Sequence, residues 1–341
     1  MKRLLLVCVV FCLVCAPALA SGKKEESDGF SVLVYVTGVT AGSPSYELMV
    51  LGAQDFAAEH DDVTIKVYEA GYNQAEWLSQ LADLIANGSY SVVVASNPAL
   101  TDICSELSVR FPSQKFIITD AYLEGNDSIR SYLFNQYEQA LVLGYLAGLI
   151  TVSDLSDANP EKKIGFIAAQ EYPLLNNHIV PGFLDGARLV DPEVELDFRV
   201  IGNWYDASKC AELARSMMAS GVDVFTAIAG GADTGLFQVA RENGAYIVYM
   251  NTDVYESAPG IVLGCGLMGQ RELVRDALDD AYNGRTVYGQ AQIVGFSDGY
   301  VGFADDSALF GQGLTEAALR QFSAFLDDIR NGRLSYTLPA L

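Results

Sequence analysis

Val92-Val93-Val94-Ala95-Ser96-Asn97-Pro98 is an unbroken apolar run that stops in polar residues. A run this short, apolar at every position rather than at alternate ones, is the pattern of a strand covered on both faces, as in a parallel sheet. Phe116–Thr119 repeats it and ends in Asp120-Ala121-Tyr122. Parallel strands need crossovers, and the intervening segments have helical period. Residues 45–59 place Leu48, Leu51, Gly52 and Phe56 on one face, and a further helix is expected over about 73–87. Outward from there, Ser31–Thr37 and Val63–Glu69 read as strands. Ser131–Asn135 leads into a long apolar helix over Gln136–Ile150, and 151–163 is a polar loop.

A second series begins at Ile164–Ala168. Helices over 177–190, 207–220 and 234–243 alternate with strands over 195–202, 224–229 and 245–250. Two similar series in one chain predict an α/β fold of two lobes, each a parallel sheet flanked by helices, with a cleft between them. The lobes are expected as 30–128 with 252–290, and 129–251 with 291–341. Chain crossings are then expected near 129–135, 251–260 and 291–296.

The first residues set the compartment. Lys2 and Arg3 precede an apolar stretch from Leu4 to Val14, and Ala18-Leu19-Ala20 is a small-x-small cleavage site, so 1–20 reads as a signal peptide and 21–29 as a polar leader. The apolar stretch is too short to span a bilayer. Cys15 offers a lipid-attachment position if cleavage falls on its amino side, but Val14 is bulky for the position before it, which favours cleavage after Ala20. The mature chain is expected in the periplasm, as a monomer, with a lipid tether as the alternative. After the signal only Cys104, Cys210 and Cys265 remain, too few and too far apart for a disulfide framework or a zinc site.

Half the residues are apolar and 19% are charged, which excludes a disordered chain and a membrane-spanning one. The formal charge of −22 becomes −24 when Lys2 and Arg3 leave with the signal. Such a surface repels nucleic acid and anionic lipid. No Lys/Arg cluster lies near the loops that follow the strands, so a small-molecule ligand is expected to be neutral or cationic. In open parallel sheets ligands sit at the carboxyl ends of strands, where this chain places Tyr46-Glu47, Ser96-Asn97-Pro98, Asp120-Ala121-Tyr122, Gln170-Glu171-Tyr172 and Asn251-Thr252-Asp253.

Several motifs carry a family resemblance. They are Glu138 with Gly144-Tyr145-Leu146-Ala147, the turn Gly202-Asn203-Trp204-Tyr205-Asp206, the segment Ile228-Ala229-Gly230-Gly231 followed by Gly235-Leu236-Phe237-Gln238, and Ala258-Pro259-Gly260. From Phe30 onward the chain resembles the basic membrane protein family of ABC-transporter solute receptors. The resemblance implies a type I periplasmic-binding-protein fold, no catalysis, no cofactor, and delivery of a captured solute to an ABC permease in the inner membrane. Members of that family bind purine nucleosides or, in a spirochaetal branch, riboflavin.

Departures from the nucleoside pattern favour riboflavin as the transported ligand. The loop after the first strand is Thr40-Ala41-Gly42-Ser43-Pro44-Ser45-Tyr46-Glu47 rather than an Asp-rich segment. Trp204 stands for a second stacking aromatic, and Asn251 and Met268 stand where the resemblance would place an aspartate and a lysine on ribose. A planar ring held between Tyr46 and Trp204 would gain about 1–3 kcal/mol per stacked face. Amides such as Asn97, Asn135, Gln136 and Asn176 suit the pyrimidine-dione edge, and Asp120, Asn251 and Asp253 suit the polyol tail. Gly230-Gly231 is explained first by a tight strand-to-helix turn, and if a ligand sits at Gly230 the adjoining helix N-terminus would offer it backbone N–H groups. The absence of a counter-cation disfavours phosphorylated flavins.

An enzyme is the weaker reading. His60 and His178 have no nucleophile beside them in the pattern, and metal-ligand spacing is missing. A glycosidase pairing Asp120 with Asp206 stays open, as does a signalling or adhesion lipoprotein on the same fold.

Overall fold

A computed structural model describes residues 29–41 and 43–340. The proposed signal peptide, Cys15 and nearly all of the leader lie outside the described residues. In chain order the first elements are β1 (Phe30–Val36), α1 (Pro44–Ala58), β2 (Val63–Glu69), α2 (Gln74–Asn87), β3 (Val92–Ser96), α3 (Leu100–Arg110), β4 (Phe116–Thr119), β5 (Ile129–Phe134) and α4 (Gln136–Thr151). There follow β6 (Lys163–Ala168), a π-helical turn (Leu175–Ile179), α5 (Val180–Val190), β7 (Glu195–Val200), α6 (Ala207–Met218), β8 (Val222–Ile228) and α7 (Asp233–Asn243). The chain continues through β9 (Tyr246–Tyr249), β10 (Val262–Met268), α8 (Gln270–Tyr282), β11 (Ala291–Val294), β12 (Val301–Phe303) and α9 (Glu316–Arg330). No helix of the described residues is long and apolar enough to cross a membrane.

Two six-stranded sheets result, ordered β11-β5-β4-β3-β1-β2 and β12-β10-β9-β8-β6-β7. Pairing is parallel throughout except between β10 and β12. β3 and β4 are buried at every position, as unbroken apolar runs in a parallel sheet require. The helix α4 is buried all round except at Tyr145, because it lies between the second sheet and α5 and α9.

The pairing corrects the expected lobe boundaries. β5 (129–134) and β11 (291–294) belong to the first sheet, and β10 (262–268) belongs to the second. α8 packs on α1 and so joins the first lobe. The chain therefore passes between lobes at Phe134–Gln136, Met268–Gln270 and Val294–Val301. The middle crossing lies beyond the expected 251–260, because that loop is followed by one more strand of the second sheet before the chain leaves. Glycines hide that strand: a Cβ at Gly264 would collide with Leu146 of α4, and one at Gly266 would press on Gln139. β10 thus trades strand-forming side chains for a close helix approach.

Candidate functional site

Two cavities lie between the lobes at the carboxyl ends of the strands, each walled from both sides. The first, about 220 Å³, has Pro44, Ser45 and Leu48 of α1 on one side and Trp204, Gly230, Asp233, Tyr249, Asn251 and Met268 on the other. The second, about 230 Å³, has Pro98, Asp120, Tyr122 and Leu133 facing Pro173, Leu174, Asn177 and His178. Neither lining contains Lys or Arg.

The turn that carries Trp204 is built locally. Asn203 Oδ1 accepts from the N–H groups of Tyr205 and Asp206, and Asp206 Oδ1 accepts from Lys209 N to cap α6. Trp204 O accepts from Ala232 N, which ties the turn to the Gly230-Gly231 segment. Gly230 has φ +59, a conformation that favours glycine, and its position leaves an added Cβ in ordinary contact with the Trp204 ring, so the backbone geometry is the reason for glycine here. The indole remains 43% exposed, large for a tryptophan with an apolar wall beside it.

Among the described residues only Asn97, Asp120, Lys162 and Asn251 have positive φ without being glycine, and three of these four end strands at the cleft. Such strain collects where backbone must present a side chain to a ligand. Asn97 Oδ1 accepts from Ala99 N, and its Nδ2 donates to Thr37 Oγ1 at 3.4 Å. Asp120 Oδ1 and Asn251 Oδ1 are buried without a hydrogen-bond partner, one at each cavity.

Other expected site residues sit elsewhere. Tyr46 is not opposite Trp204: its hydroxyl is 2.7 Å from Thr37 Oγ1, its ring covers Gly38, and it does not line the Trp204 cavity. The aromatic sandwich is thereby corrected to one indole face against the aliphatic start of α1. Asn135 and Gln136 are at the first crossing. Asn135 Oδ1 caps α4 by accepting from Glu138 N while its Nδ2 donates to Tyr336 OH, and Gln136 Nε2 meets Met268 Sδ. Asn176 is exposed and donates to Glu171, and Asp253 closes its own turn by accepting from Tyr255 N. None of these four lines either cavity, because their amides and carboxyl are spent on capping, turn and surface bonds. Asp206 likewise caps α6 and lines neither, which removes the Asp120–Asp206 pairing a glycosidase would need.

Pattern reading missed Asp233, Tyr249 and Gln270. Asp233 follows Ala229-Gly230-Gly231-Ala232 at a helix start, where an acidic residue reads as a cap, and nothing in its spacing points to a cavity.

Burial pushes the Asp120 carboxyl up to about 7 and Asp233 up to about 6. Burial also pushes the Tyr172 hydroxyl up to about 12, with the Asp120 charge adding to it. For Asp120 the sign follows from linkage. The folded state holds this proton more tightly than the unfolded chain, so the associated stability is present below about pH 4 and is lost as pH rises through about 7. Asp120→Asn, always neutral, should match wild type in thermal midpoint at about pH 4 and exceed it at about pH 8. A constant difference at both pH values would refute the assignment.

Residues 30–322 match the family described as Bmp, ABC transporter substrate-binding protein PnrA-like. The chain is 27% identical over 228 residues to the CD4+ T-cell-stimulating antigen of Listeria innocua, covering 65% of this chain and 60% of that protein. It is 28% identical over 174 residues to the ABC transporter nucleoside-binding protein BmpA of Lactococcus lactis, covering 51% of this chain and 44% of that one. The chain thus spans about half the length of these curated relatives. The solved structure of an ABC transporter solute-binding protein from Aeropyrum pernix superposes with a TM-score of 0.74 at 23% identity, covering 91% of this chain and 94% of the other. That likeness establishes the type I periplasmic-binding-protein fold. With the family matched along nearly all the described residues, the chain belongs to the Bmp family of PnrA-like ABC transporter substrate-binding proteins.

Proposed function

We propose that this chain is the extracytoplasmic receptor of an ABC importer and that its solute is riboflavin, handed to a membrane permease. The observation that carries the reading is the first cavity: an exposed indole faces an aliphatic wall, with oxygen acceptors around it and no cation in the lining. A flat, uncharged heteroaromatic fills such a space, stacking on one face and packing on the other. The second cavity, with Asp120, takes the polyol tail. A phosphorylated flavin would bring two negative charges to a lining without Lys or Arg, so riboflavin should bind far more tightly than flavin mononucleotide. Export, and a lipid tether at Cys15 if cleavage falls there, belong to the same proposal.

A purine nucleoside is the second reading, favoured by the name of the Lactococcus lactis relative. Asn251 and Met268 at the cavity argue against it, since they leave neither carboxylate nor ammonium for a ribose at those positions. Calorimetric titration of the apo-protein with riboflavin, flavin mononucleotide, inosine and guanosine decides. Nucleoside heat without riboflavin heat would move the receptor to the purine branch.

Three crossings between lobes make a hinge, and a ligand touching both walls favours the closed form by its differential affinity for that form. Small-angle scattering should give a smaller radius of gyration with saturating ligand. Superimposable curves would rule out closure.

A further inference from the structure

Asp233 begins α7 and is 3% exposed, yet it lines the Trp204 cavity. Its Oδ2 accepts a hydrogen bond from Tyr249 OH at 2.8 Å. Its Oδ1 is buried and has no hydrogen-bond partner within 3.5 Å, although the backbone N–H groups of Ala229 and Gly230 lie near enough to favour the carboxylate. The same cavity is lined by Gln270, 1% exposed, whose Nε2 donates to Thr119 Oγ1 while its Oε1 is buried without a partner. Asn251 Oδ1 adds a third unpartnered acceptor. The three unpartnered atoms are all acceptors, which defines what the missing partner must be. A buried carboxylate oxygen left without a partner is costly, and native proteins keep such atoms where something else completes them. The completing group has to be a donor.

We propose that Asp233, held by Tyr249, is a specificity-determining residue whose Oδ1 accepts a hydrogen bond from the ring N–H of the bound heterocycle. The proposal rests on the receptor reading above and adds which edge of the ring is read: the imide edge, N–H inward, with the ring on Trp204. A solute with the same stacking face but no ring N–H leaves Asp233 buried and bare, and is rejected for that reason. The dyad acts on orientation as well. Tyr249 OH occupies Oδ2, so one carboxylate oxygen is left for the ligand, which suits a single N–H better than an amidine-like pair of donors.

The test compares riboflavin with N3-methylriboflavin on the apo-protein by calorimetry. On the wild-type chain methylation should weaken binding by about 10-fold or more, the range for a buried hydrogen bond to a charged group. In Asp233→Ala, which removes the acceptor and makes room for the methyl, the two ligands should bind within about 3-fold of each other. Equal affinities on wild type, or full discrimination retained in Asp233→Ala, would overturn the assignment while leaving the receptor reading intact. If Asp233→Ala does not fold by thermal melting, the wild-type ligand pair decides alone. If riboflavin does not bind and inosine does, the riboflavin reading fails, and inosine against 1-methylinosine puts the same question to Asp233: discrimination upholds it, equality overturns it.

Discussion

Trp204→Ala should weaken riboflavin binding by about 1–3 kcal/mol, or about 5–150-fold in Kd, with Trp204→Phe losing less. Trp204 is 43% exposed at the cavity, so much of its ring is not covered by its own protein, and truncation leaves the core untouched. Its backbone is held independently, by Asn203 on one side and Ala232 on the other, so the turn survives the change. Thermal midpoints should therefore move little while affinity moves much. The fluorescence of the flavin, quenched on an electron-rich indole, should recover in the alanine variant. Wild-type affinity and quenching in Trp204→Ala would remove the stacking role altogether.

A second large effect is expected far from the ligand, at the packing of α4 on α5. Gly144, Gly148, Gly182 and Gly186 line that contact, and a Cβ at Gly144 would collide with the Phe183 carbonyl oxygen, one at Gly186 with the Leu141 carbonyl. Backbone cannot rotate away as a side chain does. Alanine in a helix interior gains about 1 kcal/mol over glycine, whereas overpacking against backbone costs about 3 kcal/mol or more, so the collision wins. Gly144→Ala should lose about 2 kcal/mol or more of stability in denaturant titration. At Gly148 the added atom meets the Ala187 carbonyl oxygen at 2.8 Å and Val190 Cβ at 3.2 Å, a milder clash, so Gly148→Ala should lose less. Equal or improved stability of Gly144→Ala would mean that the helices are not in backbone contact.

Particular elements show what pattern reading reaches. β3 and β4 were legible because an unbroken apolar run bounded by polar residues has few alternatives, and the Trp204 turn was legible because Asn and Asp around a tryptophan after a strand mark a built loop. β10 was not legible, since Gly264 and Gly266 answer to α4 across the sheet and erase the strand signature. A long-range pairing shifted the other lobe boundaries: β5 and β11 pair with each other at the edge of the first sheet although more than 150 residues separate them. Tyr46 failed as a stacking wall for a comparable cause. Its neighbour Thr37 is close only after β1 and α1 fold together, and that hydrogen bond turns the ring toward Gly38.

Periodicity and the positions of apolar runs, both local properties, by themselves determined that this chain has two α/β series with polar loops at the strand ends, and the charge pattern places no Lys/Arg cluster beside those loops. Which side chains share a cavity was decided only by the tertiary structure. Asp233, Tyr249 and Gln270 come from the start of α7, the end of β9 and the start of α8, and nothing in their spacing foretells that they meet. The physical reason is that a buried acceptor is costly or useful according to its partners, and partners are assigned by packing between distant segments rather than by neighbours in sequence.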